Sequence, residues 1–183
     1  MSDMTKVIVA KSDQLNTDDL IGGSQTIHIT KVAIAQGGEQ PVSVHYEGDQ
    51  GKPYKPGKSM CRVMVAAWGN DAKAYAGRSM TVYRDEKVKW AGMEVGGIRI
   101  SHMSHINEPM TIALTATRGS KKLFTVKPLV ILTEEEKKIA TDEASKGIEH
   151  LESWWKALTA ADKKKYHPIK DELKTIAEGV NHG

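Results

Sequence analysis

The chain reads as an α+β protein: a small antiparallel β-barrel with an inserted helix, followed by a C-terminal helical hairpin. Three observations carry this. Seven short segments between Gln25 and Lys127 alternate apolar and polar residues, the pattern of half-buried strands. Between the second and third of them, Met60, Val63, Met64 and Ala67 recur at helical spacing. Past Pro128 the period lengthens for good, with Ala144, Ile148, Leu151, Trp155 and Leu158 at steps of 4, 3, 4 and 3.

Residues 1–24 are polar, end in Gly22-Gly23, and read as a loosely held arm with one short strand at Lys6–Ala10. Gln25–Ala35 follows as a strand. Ile27 and Ile29 share one face, but Val32 and Ile34 continue on the other parity. One extra residue near Thr30-Lys31 produces that slip, so a β-bulge or sharp bend is predicted there. The turn Gln36–Glu39 leads into Pro41–Tyr46, and the two strands form a hairpin.

Gly48–Lys58 is a loop, since its prolines and glycines prevent regular pairing. Ser59 is placed to cap a helix running through Trp68, and Asn70 to cap a short turn of helix ending at Gly77. Ser79–Arg84 and Lys87–Ala91 are expected to pair across Asp85-Glu86. Ile98–Met103, Met110–Thr117 and Leu123–Lys127 complete the set, the last two joined by Gly119–Lys122. Strands this short close, or nearly close, on themselves and so remove unpaired edges.

In the tail, Thr133 and Glu136 form a capping box, Thr159 and Asp162 cap a second helical segment, and Pro168 suits the first turn of a third. The division is an arm at 1–24, a β-barrel-like domain at 25–131 and a helical module at 132–183. The module is too short to be stable alone, so it should pack on the β-body, on a second copy or on a partner.

Net charge is +3, but unevenly spread. Residues 22–131 hold 15 Lys+Arg against 8 Asp+Glu, whereas 132–183 hold 9 against 11. A basic body with a near-neutral tail suits a polyanionic ligand. Cys61 is the single cysteine, which excludes an intrachain disulfide and fits a reducing cytoplasm. The apolar run Val7–Ala10 is shorter than a signal peptide requires, and no run approaches a membrane span. A soluble intracellular protein without membrane contact is expected.

The stretch from Lys58 to His105 sets eight Lys or Arg against four Asp or Glu and interleaves them with Trp68, Tyr75, Tyr83 and Trp90. Cations between flat rings suit single-stranded nucleic acid, with charges on phosphates and rings under bases. The candidate phosphate contacts are Lys52, Lys55, Lys58, Arg62, Arg84, Lys87, Lys89 and Arg99. The candidate stacking rings are Tyr54, Tyr83 and Trp90. Tyr54, in a Lys/Pro/Gly loop, is expected to be exposed; Trp68, closing an apolar helix, belongs to the core. Trp90 has two readings, core residue or stacking platform. In the tail, Trp154 and Trp155 diverge by about 100° around a helix. They are candidate partner-binding residues, or else tuck under the β-body.

Other chemistries lack their residues. Gly92–Gly97 is glycine-rich, but no Lys-Ser/Thr follows it, so it reads as a tight turn and not a phosphate loop. His102 and His105, three apart on a strand, fall on opposite faces and have no cysteine pair or acidic cluster beside them, so no metal or cofactor is expected. Histidines on the sheet surface suit contacts to phosphates instead. No nucleophile elbow and no pair of facing carboxylates occurs in the basic body, which argues against an enzyme.

Two segments carry a resemblance. They are VSVHYEGDQGKPYKPGKSMCRVMVAAWGNDAKAYAGRSMTVYRDEKVKWAGMEVGGIRISHMSHI at 42–106 and ASKGIEHLESWWKALTAADKKKYHPIKDELKTIA at 144–177. Together they resemble a group of small tailed-phage proteins, and the second resembles a helical module appended to several phage recombination-region proteins. The resemblance implies a phage origin, the bacterial host cytoplasm and a place near replication or recombination. It implies no catalytic residues. The β-body resembles the oligonucleotide-binding (OB) barrel, with a departure: that fold usually sets its helix after the third strand, and here a helix follows the second, unless Lys6–Ala10 counts as a strand. The expected function is a phage accessory protein that binds single-stranded nucleic acid, DNA favoured, with little sequence preference. Its C-terminal helices would meet a protein partner or a second copy. The alternative is an interaction module that inhibits a host defence or nuclease complex.

Overall fold

Six of the seven alternating segments assemble into one mixed sheet in the computed structural model, which describes residues 12–90, 93–117 and 119–180. β1 (Gln25–Ile34) and β2 (Val42–Tyr46) form the expected antiparallel hairpin, with Ile34 opposite Val42. Their register is irregular between Ile29 and Lys31, where the parity slip predicts a bulge. The extra residue lets Ile27 and Ile29 on one side of it, and Val32 on the other, all reach the core.

A helix, α1 (Lys58–Trp68), leads back to β3 (Ser79–Asp85), which pairs with β1. The chain then makes a two-stranded ribbon, β4 (Lys89–Trp90) and β5 (Met93–Glu94), and re-enters the sheet as β6 (Gly97–Met103) beside β3. β7 (Met110–Thr117) and β8 (Ser120–Pro128) form a hairpin whose second strand runs parallel to β6. The order is β2-β1-β3-β6-β8-β7.

The structure departs from the expected barrel at several points. The sheet is open, not closed, and the β6–β8 pairing makes it mixed. The helix supplies the physical reason. Met60, Val63, Met64 and Trp68 of α1 share one core with Met80, Val82, Ile100, Met103, Leu114 and Val126, so α1 covers apolar surface that closure would otherwise bury. The hairpin expected across Asp85-Glu86 does not form, because β3 pairs with β6 up to Asp85 opposite Gly97. The intervening ribbon is tied back by the amides of Val95 and Gly96, which both donate to the Val88 carbonyl. Gly97 permits this: a Cβ there would meet the Val88 side chain at 2.8 Å.

The N-cap of α1 is Gly57, with no side-chain cap, so Ser59 does not cap it. The next short turn, at 72–75, is capped by Asp71 and not by Asn70. From residue 12 onward the arm is not loose: Leu15 and Leu20 are buried in the sheet core. The strand expected at Lys6–Ala10 lies outside the described residues.

The chain divides into two compact units, 1–129 and 130–183. The second is more than a hairpin. It contains α2 (Glu134–Ala144), α3 (Ile148–Ala157), α4 (Ala160–Tyr166) and α5 (Lys170–Val180). The capping box is present, with the Glu136 amide donating to Thr133 Oγ1 at 3.2 Å and the Thr133 amide to the Glu136 carboxylate at 2.9 Å. The Asp162 amide likewise donates to Thr159 Oγ1 at 3.1 Å. Gly147, at φ +102°, lets the chain turn between α2 and α3, which splits the long apolar stripe into two helices. Ala140, Ala144, Leu151, Tyr166, Leu173 and Ala177 give this unit a buried cluster of its own.

Candidate nucleic-acid interface

Alternation gives the sheet a core face and an outer face. Val82, Ile100 and Met103 point into the core. Their neighbours Thr81, Tyr83, Arg99 and His102 therefore point the other way. Tyr83 stands opposite Arg99, Thr81 opposite His102, and His102 opposite Lys127 of β8. The row is tied together by hydroxyls. Thr26 and Thr81 Oγ1 lie 2.8 Å apart, and His28 Nδ1 lies 2.7 Å from Ser79 Oγ. A second bulge shifts the β3–β6 register between Thr81 and Val82 and leaves Ser101 as the additional residue. Its hydroxyl donates to the Thr81 carbonyl at 3.3 Å and lies 2.9 Å from His102 Nδ1. The bulge thus returns His102 to the outer face alongside Arg99.

Burial above all, and the Lys127 ammonium next, hold His102 below the usual histidine range. The folded state therefore favours the neutral ring. This contribution to stability is complete above pH ~6.5, the unfolded value, and is lost as pH falls through the lowered folded value. An NMR titration should place the His102 midpoint below the unfolded value, and Lys127→Ala should move it part of the way back up. A midpoint at or above the unfolded value contradicts this burial. The Tyr83 phenol is pushed up by burial first and Asp85 second, with Arg99 opposing.

Tyr54 is not on the surface as its loop suggests. It is 1% exposed and belongs to the core, so it cannot stack on a base. Its amide and carbonyl both bond to Val44 of β2, at 2.9 and 2.8 Å, which turns the ring inward. Burial drives its phenol well above the usual tyrosine range. Trp68 is in the core as expected, its indole N–H donating to the Ser104 carbonyl at 2.7 Å. Trp90 belongs to β4, opposite Met93; both readings of its ring concern a side chain outside those described.

The candidate cations are not brought onto one track. Lys55 pairs with Asp13 at 2.7 Å, Arg84 with Asp18 at 2.9 Å, Lys89 with Glu94 at 3.6 Å and Arg99 with Asp85 at 3.7 Å. Asp13 and Asp18 come from the segment read as a loose arm, so nothing local in the sequence announces these pairs. Lys52, Lys58, Arg62 and Lys87 form no ion pair among the described residues. Lys58 and Arg62 are carried by α1, which packs on the core face, across the sheet from Tyr83 and Arg99.

A groove of about 750 Å³ opens beside Tyr83, Arg84 and Lys87, with Leu20 and Ile21 also lining it. Asp85, Glu86 and Glu94 line it too, so it suits a neutral ring better than a phosphate. Sequence reasoning placed Tyr83 and Arg99 correctly on strands. It reached the histidines only as a class and passed over Lys127, whose signal was its place in an alternating strand.

In the helical unit, Trp154 packs on Tyr166 with ring centroids 5.2 Å apart, and Lys170 Nζ lies 5.2 Å from the Trp155 ring. Both tryptophans are half-buried in their own unit, against its core.

Among the described residues, no group of three His, Cys, Asp or Glu side chains is placed to hold a metal ion. No helix among them is long and apolar enough to cross a membrane. Compared with protein-family models, curated proteins and solved structures, the chain matches none.

Proposed function

We propose that the sheet unit binds single-stranded nucleic acid, DNA favoured, with little sequence preference, as a phage accessory protein in recombination or replication. The phage setting rests on the resemblance of residues 42–106 and 144–177. The observation that carries the binding reading is the pairing of Tyr83 with Arg99 on the outer face of β3 and β6. There a ring for a base and a cation for a phosphate stand side by side, with His102 and Lys127 extending the row. The sheet order supports it. Without β2, the order β1-β3-β6-β8-β7 with its one parallel pair resembles that of an oligonucleotide-binding sheet, which takes its ligand across the second and third strands. The site is smaller than the sequence suggested: Tyr54 is excluded, and Lys58 and Arg62 belong to another surface.

Titration of a fluorescent oligothymidylate tests this. Tyr83→Ala should weaken binding about 5- to 150-fold, the loss of one stacked base at ~1–3 kcal/mol. Lys127→Ala should reduce the slope of log K against log salt by about 0.7. Absence of binding at about 50 mM salt, where phosphate contacts are strong, removes the reading.

A further inference from the structure

We propose that the helical unit carries a docking groove for an acidic peptide with one bulky apolar anchor, supplied by another protein. The groove lies between α3 and α5 and holds about 290 Å³. Ile148, Leu151 and Leu173 form its floor, and Trp155 one wall. Small-molecule sites span roughly 300–1,000 Å³. This groove falls just below that range, so it accepts one or two apolar side chains and not a large cofactor.

The rim decides what surrounds the anchor. Lys156, Lys170 and Lys174 stand there against one carboxylate, Glu152. That reverses the balance of residues 132–183, which hold 9 Lys against 11 Asp+Glu. Two acids of the unit are committed elsewhere: Glu136 pairs with Lys165, and Glu143 pairs with Lys146 and His150. Lys170 leans over Trp155 itself, and Lys174 pairs with Glu178 at 3.8 Å, both side chains being well exposed. Lys156 forms no ion pair among the described residues. A positive mouth above an apolar floor is complemented by carboxylates flanking a hydrophobic side chain. An aromatic wall beside such a floor is the usual setting of a binding hot spot.

The test uses the full chain and a short fluorescein-labelled peptide of aspartates and glutamates around one phenylalanine. Fluorescence polarisation should show saturable binding. Lys156→Glu with Lys174→Glu should weaken it about tenfold or more, with the helical circular dichroism unchanged, and so should Phe→Ala in the peptide. Both substituted lysines are on the rim, so the floor that holds the unit together stays intact. Three results overturn the proposal: no saturable binding, equal binding of a peptide with lysines in place of its acids, or equal binding without the anchor. A fourth is self-association in sedimentation that the double substitution abolishes, since the groove then belongs to a second copy.

Discussion

Tyr54→Ala is expected to destabilise the sheet unit by about 3–5 kcal/mol, the cost of removing a large ring from a packed core. Tyr54 is among the largest fully buried side chains, and it lies in the cluster that joins α1 to the sheet. For a domain of this size each kcal/mol moves the melting midpoint by several degrees, so the drop should exceed about 10 °C. Tyr54→Phe separates the ring from its hydroxyl. The hydroxyl donates one long bond, 3.4 Å, to the Ile98 carbonyl, so its removal should cost no more than ~1 kcal/mol. If Tyr54 lay on the surface, as its loop suggests, the alanine variant would melt like the parent and lose only oligonucleotide binding. Thermal melts of the two variants distinguish the cases. Oligonucleotide binding by Tyr54→Phe should equal that of the parent.

Leu173→Ala should have a comparable effect on the helical unit. Leu173 is 1% exposed on α5, which packs on both α2 and α3. Truncating a buried leucine typically costs about 2–5 kcal/mol, and a core of this size, three of whose six buried members are alanines, has little with which to refill the space. Hydrogen exchange on the intact chain reads this directly. Amide protection should fall throughout α2 to α5, by roughly 30-fold or more for a loss at the low end of that range. Protection unchanged in α2 and α3 would mean that α5 is not part of their core.

The parts of the fold that were legible in the sequence are those governed by short-range rules. The slip from Ile29 to Val32 announced the bulge, Thr133 with Glu136 announced a helix start, and the alternation from Met110 announced β7. What was not legible depends on distant pairing. Nothing near Asp85 indicates that its strand continues to a partner beginning at Gly97, because the ribbon between them is itself strand-like. Nothing near Lys55 or Arg84 reveals Asp13 or Asp18. The Tyr54 error has the same origin. Prolines, glycines and lysines around a ring describe a solvated loop, yet two backbone bonds to Val44 fasten that loop to the sheet and carry the ring inside. For the candidate site, Tyr83 and Arg99 could be named, but their adjacency became clear only with the β3–β6 register.

The same fastening bears on which edges of the sheet are open to further pairing. An open sheet offers its outermost strands as templates on which other chains can polymerise. On the β2 side the docked stretch occupies part of that ladder with Tyr54, and buried Pro53 and Pro56 flank it. Proline has no amide hydrogen to lend to a newcomer, so sheet growth in that direction meets a terminator built into the loop.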